Sequence, residues 1–144
     1  MPNSTLQKFA FPFLQIAQND HWIVLLRRPQ ITLGSLVIVT RHEETALSEI
    51  RKTAFQDLSP IIQSIEKTLK KLWQYDKINY LMLMMVDPHV HWHVIPRYQN
   101  NRQWKNQSFV DLNWPKAPDL AKAIHLSSEI EAELLATLKN NWDH

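Results

Sequence analysis

Three of the seven histidines in this chain lie within five residues, in the run His89-Val90-His91-Trp92-His93-Val94-Ile95. Histidine alternates here with apolar or aromatic residues, a pattern that predicts an extended strand with the three imidazoles on one face. Imidazoles two positions apart on a strand are separated by ~7 Å, so they can surround one phosphate group or one metal ion. The run is therefore the first candidate for a functional site.

The residue types allow two kinds of chemistry at this strand. In the first, a neutral imidazole attacks phosphorus as a nucleophile while its neighbours donate hydrogen bonds to phosphate oxygens, and Arg97 adds a permanent positive charge. In the second, the three histidines bind Zn²⁺ or another divalent cation, although the sequence places no acidic residue as an obvious fourth ligand. A strand that merely packs its histidines is a third interpretation, which three histidines on one face argue against.

Composition excludes several classes of site. The chain has 144 residues, no cysteine and a single glycine, Gly34. Disulfides and cysteine nucleophiles are therefore excluded, as are phosphate-binding loops that need several glycines. Sixteen Lys and Arg residues nearly balance fourteen Asp and Glu residues, and the net charge of +2 argues against a large nucleic-acid interface. No apolar run approaches the ~20 residues of a membrane span, so we expect a cytoplasmic protein without membrane contact.

The remaining sequence predicts the elements that position the histidine strand. Strands are predicted at 13–18, His21–Leu26, Leu36–Val39 and 78–86. The last of these is joined to the histidine strand only by Asp87-Pro88, and so short a connection makes the pair antiparallel. Trp92 is predicted to point away from the histidines into the core. Arg27 and Arg28 are candidates to reach phosphate from the first hairpin, but exposed arginines are common at strand ends, and this second interpretation is favoured.

Two helices complete the prediction. Apolar residues at spacings of three and four predict a long helix from about residue 44 to about residue 74, with Pro60 at a kink or restart. Ser127-Ser128 is expected to begin a final helix, and residues 99–125 look irregular. The predicted fold is α+β, with a small antiparallel sheet of about five strands, one long central helix and a C-terminal helix.

The sequence resembles the histidine triad (HIT) superfamily of nucleotide hydrolases and transferases, in its bacterial form similar to diadenosine-polyphosphate hydrolases. The resemblance rests on His-x-His-x-His followed by two apolar residues and Pro-Arg. It rests also on Gly34–His42, which is similar to the family segment Gly-His-x-Leu-Val-Ile-Pro-Lys-x-His. It covers residues 13–98 and implies a HIT-like fold, and residues 1–144 are expected to form one domain.

The resemblance also implies roles for the histidines. His91 would attack the α-phosphorus and form a covalent nucleotidyl-histidine intermediate, His93 would hydrogen-bond the phosphate or the leaving group, and His89 would orient the site. Further candidates for substrate contacts are Arg97, Asn79, His42 and Ser35. The implied substrates are dinucleoside polyphosphates, nucleoside phosphoramidates and related nucleotide conjugates. No metal or cofactor is expected, and the implied assembly is a homodimer.

The surroundings of the triad depart from the family pattern. The Gly-Gln pair that often precedes the triad strand is missing from Asp87-Pro88, and Ser35 stands where many members have a histidine. A normally polar segment is replaced by Leu81–Met85, which leaves Asn79 as the only nearby amide. Two alternatives therefore stay open: a nucleotide-binding or regulatory protein with little turnover, and a metal-binding hydrolase that uses the three histidines.

Overall fold

The chain combines three helices with nine short strands. The computed structural model describes residues 1–144, and the elements follow in the order α1 (Ser4–Lys8), β1 (Gln15–Gln18), β2 (Trp22–Leu26), β3 (Pro29–Gln30), β4 (Leu36–Thr40), a 3₁₀ turn (Leu47–Glu49), α2 (Lys52–Trp73), β5 (Lys77–Leu81), β6 (His91–Arg97), β7 (Arg102–Trp104), β8 (Gln107–Phe109), β9 (Ile124–His125) and α3 (Ser128–Asn140). None of the helices has both the length and the apolar character needed to cross a bilayer.

The main sheet has five antiparallel strands in the order β1-β2-β4-β6-β5. Strands β2 and β4 are buried along their whole length, which explains why both are continuous apolar runs rather than alternating ones. The register between β4 and β6 places Val39 opposite His91 and Val37 opposite His93. The predicted α+β architecture and the five-stranded antiparallel sheet are confirmed.

The two faces of β6 have different environments. Trp92 packs against Trp22, with ring centroids 5.4 Å apart, and the Trp22 indole N–H donates to the Ala54 carbonyl of α2 at 2.7 Å. The α2 side of the sheet therefore holds the tryptophans, as the alternation predicted. His91 and His93 project from the opposite face. One hydrophobic cluster of 25 buried residues joins the sheet to all three helices.

The long helix begins later than predicted. It runs continuously from Lys52 to Trp73, with Pro60 inside it, so residues 44–51 are not part of it. The Glu49 carboxylate accepts the backbone N–H groups of Thr45 and Ala46, both at 2.9 Å, and closes a separate 3₁₀ turn. These side-chain hydrogen bonds compete with helical ones, which is why apolar spacing alone placed the start too early.

The segment before the histidine strand also differs from the prediction. Strand β5 ends at Leu81, so the predicted strand 78–86 is too long, and the connection to β6 is Met82–Val90 rather than Asp87-Pro88. His89 lies in this loop and not on the strand. Within the loop Leu83, Met85 and Val86 are 52%, 82% and 82% exposed. An apolar run usually indicates a buried strand, but here no layer covers it.

The last third of the chain is more regular than predicted. Strands β7 and β8 form an antiparallel hairpin, and β9 pairs with β3, so residues 99–125 contain strands rather than irregular structure alone. The final helix begins as expected, because the Ser127 hydroxyl accepts the Ile130 N–H at 3.2 Å. Leu134 and Leu138 of α3 are fully buried and attach this part of the chain to the core.

Candidate functional site

His91 is held in one defined tautomer. Its side chain is 2% exposed, and Nδ1 lies 2.7 Å from the backbone carbonyl of His89. A carbonyl can only accept a hydrogen bond, so Nδ1 carries the proton and Nε2 keeps a lone pair. This nitrogen is the nucleophilic atom that phosphorus chemistry requires.

His93 is held in the other tautomer. The Arg27 Nε–H donates to His93 Nδ1 at 3.3 Å, so the proton of the neutral ring sits on Nε2. Burial lowers the pKa of His93 from 6.5 to about 4, with a smaller contribution from the positive charge of Arg27. The ring is therefore a neutral hydrogen-bond donor near pH 7, and it lies 5.1 Å from the His91 ring in an edge-on arrangement.

Both Nε2 atoms are open to a cavity. Every side-chain nitrogen or oxygen that is buried in this protein has a hydrogen-bond partner. Because neither Nε2 atom makes a hydrogen bond, both must be accessible to solvent. The cavity has a volume of about 430 Å³. It is lined by His91 and His93, the end of α1 and the two residues after it (Lys8, Phe9, Ala10), the corner after β2 (Arg27, Arg28, Pro29), the loop before β6 (Leu83, Met84, Met85, Val86, Asp87) and Leu120. The Phe9 ring lies 5.8 Å from the His91 ring and 5.9 Å from the His93 ring. The His91 Nε2 lone pair and the His93 Nε2–H donor therefore both face the same partly apolar cavity.

The charges around this cavity are mostly paired. Lys8 forms an ion pair with Asp87 at 3.1 Å, which joins α1 to the loop before β6. Arg28 forms an ion pair with Glu131 of α3 at 3.0 Å. Among the basic residues that line the cavity, Arg27 alone has no carboxylate partner.

Arg27 was interpreted from the sequence as an exposed strand-end residue, and that interpretation is wrong. It is 9% exposed and donates to the Pro29 carbonyl at 2.7 Å and to His93. Burial lowers its pKa below the usual arginine value, but a guanidinium remains charged near neutral pH. The strand pattern contained the signal for this position, because Ile23, Leu25 and Arg27 alternate onto the histidine face.

His89 lies beside the cavity rather than in its wall. Its ring nitrogens contact the Thr5 hydroxyl at 3.0 Å and a Glu43 carboxylate oxygen at 3.3 Å, and its carbonyl holds His91. The three histidines therefore do not converge on one point. No group of three His, Asp or Glu side chains has an arrangement suited to a metal ion.

Arg97 and Asn79, predicted to contact substrate, lie together at the other end of β6. Arg97 is 3% exposed and binds both oxygens of Asp111, at 2.7 Å and 3.0 Å, and the Asn79 amide oxygen at 2.8 Å. The structure thus places this arginine in a buried ion pair and not among the residues that line the histidine cavity.

Ser35 and His42 also lie outside the cavity lining. Ser35 is fully buried, donates to the Thr32 carbonyl at 2.8 Å and accepts the Thr32 N–H at 3.1 Å, which fixes the turn before β4. His42 is exposed, and its ring lies 5.9 Å from that of His21. Of the predicted site residues, the structure brings His91 and His93 together, with His89 behind them. Sequence reasoning missed Lys8 and Phe9 as parts of the cavity lining, and it considered Arg27 as a phosphate contact but favoured an exposed position for it.

Known proteins provide an independent comparison. The family model of the HIT domain matches residues 12–100, whereas curated protein sequences give no significant match. A histidine triad protein from Bradyrhizobium japonicum has a similar structure, with a TM-score of 0.75 at 17% identity over 99% of this chain and 98% of that one. One from Sinorhizobium meliloti gives a TM-score of 0.75 at 20% identity, covering 98% and 96%. A Plasmodium falciparum diadenosine triphosphate hydrolase gives a TM-score of 0.66 at 12% identity, over 90% of this chain and 76% of that one. The match to residues 12–100 spans more than half of the sequence, and the chain belongs to the HIT domain family.

Proposed function

We propose that this protein is a nucleotide hydrolase or nucleotidyl transferase that cleaves at the α-phosphate through a covalent intermediate on His91. The observation that carries the proposal is the 2.7 Å hydrogen bond from His91 Nδ1 to the His89 carbonyl. It leaves the Nε2 lone pair directed to a cavity that also contains a neutral donor and a buried cation. The structural likeness to a diadenosine triphosphate hydrolase supports the same class of reaction.

The proposed reaction has two displacements at phosphorus. His91 Nε2 forms a bond to the α-phosphorus while the bond to the leaving group breaks, and a leaving atom more basic than phosphate takes a proton from solvent water. His93 Nε2–H donates to the phosphate oxygens or to the leaving atom, and Arg27 balances the negative charge. The His89 carbonyl stabilises the positive charge that develops on the His91 ring. Water or another acceptor then attacks phosphorus, the P–N bond breaks, and a nucleoside monophosphate or its transfer product is released.

The charges that line the cavity favour one kind of substrate. A dinucleoside polyphosphate carries several negative charges along its phosphate chain, whereas a nucleoside monophosphate conjugated through one bridging atom carries a single charge. Arg27 is the one lining cation without a carboxylate partner, and the neighbouring loop offers apolar Leu83 and Met85. Conjugates with one phosphate therefore match the cavity better than dinucleoside polyphosphates, although both belong to the proposed class.

A substrate screen tests the proposed reaction. Adenosine and guanosine conjugates of both kinds are incubated with the wild type, with His91→Asn and with His125→Asn, a matched exposed histidine in β9. We expect turnover and a trapped phosphorus–nitrogen adduct by mass spectrometry in the wild type and in His125→Asn. The His91→Asn variant should bind nucleotide but lack both signals. Full activity in His91→Asn would refute the assignment.

A second candidate function is nucleotide binding with little turnover. It is favoured by the Lys8–Asp87 ion pair and the Phe9 ring, which partly close the cavity, and by the loop whose exposed side chains are apolar. Calorimetry with nucleoside monophosphates beside the hydrolysis assays separates the two functions. Tight binding without an adduct would support the second.

We also propose that the protein acts as a homodimer in the cytoplasm. Strand β5 is one of the two edge strands of the main sheet, so a second copy can extend the sheet there. Light scattering during size-exclusion chromatography measures the mass directly. A monomer at micromolar concentration would contradict the homodimer.

A further inference from the structure

The N-terminal helix lies entirely outside the segment that matches the family, yet it contacts the histidines. Residues 12–100 match the HIT domain, whereas α1 is Ser4–Lys8. Asn3 caps this helix by accepting the Leu6 N–H at 2.8 Å, and its amide donates to the carbonyls of Thr40 at 2.9 Å and His42 at 2.7 Å. The helix is therefore fixed to the end of β4, beside the loop that carries His89.

Thr5, in the first turn of α1, makes two contacts with His89. Its hydroxyl oxygen accepts the His89 backbone N–H at 3.2 Å and lies 3.0 Å from His89 Nδ1. Thr5 is 1% exposed and His89 is 8% exposed, so water does not compete strongly for either group. Nδ1 is the one acceptor within hydrogen-bond distance of the Thr5 hydroxyl, which therefore donates to it.

These two contacts fix both the tautomer of the His89 ring and the position of its backbone. Because Nδ1 accepts, the ring proton is on Nε2, which faces the Glu43 carboxylate at 3.3 Å. The same residue provides the carbonyl that accepts His91 Nδ1–H at 2.7 Å. A displacement of His89 would therefore change the orientation of the His91 ring.

We propose that Thr5 is a positioning residue of the site: it holds His89 in the Nε2–H tautomer and, through the His89 carbonyl, fixes the His91 ring for attack. Thr5 itself is not among the residues that line the cavity, so it acts through His89. The catalytic part of this proposal rests on the proposed function. The tautomer part does not, because it concerns the free protein.

Three variants test the role of the hydroxyl. Thr5→Val keeps the shape of the side chain and removes the hydroxyl, Thr5→Ser keeps the hydroxyl, and Ser4→Ala changes an exposed neighbour on the same helix. With ¹⁵N-labelled histidine, NMR distinguishes protonated from unprotonated ring nitrogens. We expect the His89 nitrogens to show the Nε2–H tautomer in the wild type, Thr5→Ser and Ser4→Ala, and to lose it in Thr5→Val.

The kinetic arm uses whichever conjugate the wild type turns over. Thr5→Val should lower kcat by about tenfold with KM changed less than about twofold, since the contact orients the nucleophile rather than binds substrate. Thr5→Ser should restore kcat to within about threefold of the wild type. An unchanged His89 tautomer in Thr5→Val, or equal loss of kcat in Thr5→Ser, would overturn the proposal. If the wild type turns over none of the conjugates, the proposed function fails, and the NMR arm still decides whether Thr5 sets the tautomer.

Discussion

The low pKa of His93 can be tested without knowing the substrate. Burial is its first cause and the positive charge of Arg27 its second, and together with weaker effects they lower the pKa from 6.5 to about 4. Arg27 Nε donates to His93 Nδ1 at 3.3 Å, so protonation of Nδ1 would place two donors face to face. Replacing Arg27 with Met removes the charge and the donor but keeps the packing. We expect the pKa of His93 to rise in Arg27→Met and to remain below 6.5.

The same shift connects the stability of the fold to pH. A histidine whose folded pKa lies below its unfolded value binds fewer protons in the folded state. Its neutral form therefore stabilises the fold fully above pH 6.5, and this contribution is lost as the pH falls toward 4. At ~1.4 kcal/mol for each pH unit, the 2.5 units between these two pKa values limit the loss to about 3.5 kcal/mol. The unfolding free energy of His93→Gln should therefore approach that of the wild type on acidification.

The assay is an NMR titration of the histidine rings from about pH 8 to about pH 3.5, with urea unfolding at both ends of this range. His93→Gln assigns the signal. Arg28→Met provides a matched control, because Arg28 is exposed and paired with Glu131. A His93 signal that titrates near 6.5 in the wild type would refute the reasoning, as would an Arg27→Met variant with an unchanged titration.

Three further predictions concern the turn before β4, the buried ion pair and the loop before β6. Gly34 has a φ of +90°, and a Cβ there would lie 3.0 Å from the Trp73 ring, so Gly34→Ala should lower the unfolding free energy by about 1–3 kcal/mol in urea titrations. Asp111→Asn leaves the buried charge of Arg97 unpaired and should destabilise the fold by about 3–5 kcal/mol, while KM for any substrate stays unchanged. Met85→Ser should raise KM for conjugates with an apolar leaving group more than for dinucleoside polyphosphates, and an equal change for both would contradict the apolar contact.

The strands were predictable because their signal is local. The alternation in the histidine run predicted which side chains share a face of β6, and the apolar runs predicted β2 and β4 to within a residue at each end. The loop before β6 was not predictable in the same way. Leu81–Val86 has the composition of a buried strand. In the structure, however, the strand ends at Leu81, and no other element packs over most of the residues that follow. Whether a segment is buried depends on distant parts of the chain, so its own sequence does not reveal it.

The candidate site shows the same limit for individual side chains. His91, His93 and Arg97 alternate onto one face of β6, and all three were predicted from the sequence to contact one substrate. The segments that cover this face differ along its length, however, so sharing a face does not mean sharing a site. Asp111 pairs with Arg97 at one end, whereas α1 and the loop before β6 enclose the two histidines at the other. The cation that reaches His93 comes instead from the neighbouring part of the sheet, since Arg27 follows β2. The residues that complete the site are therefore set by packing across strands and by the N-terminal helix, and a search for them should begin from the covering segments rather than from the histidine strand.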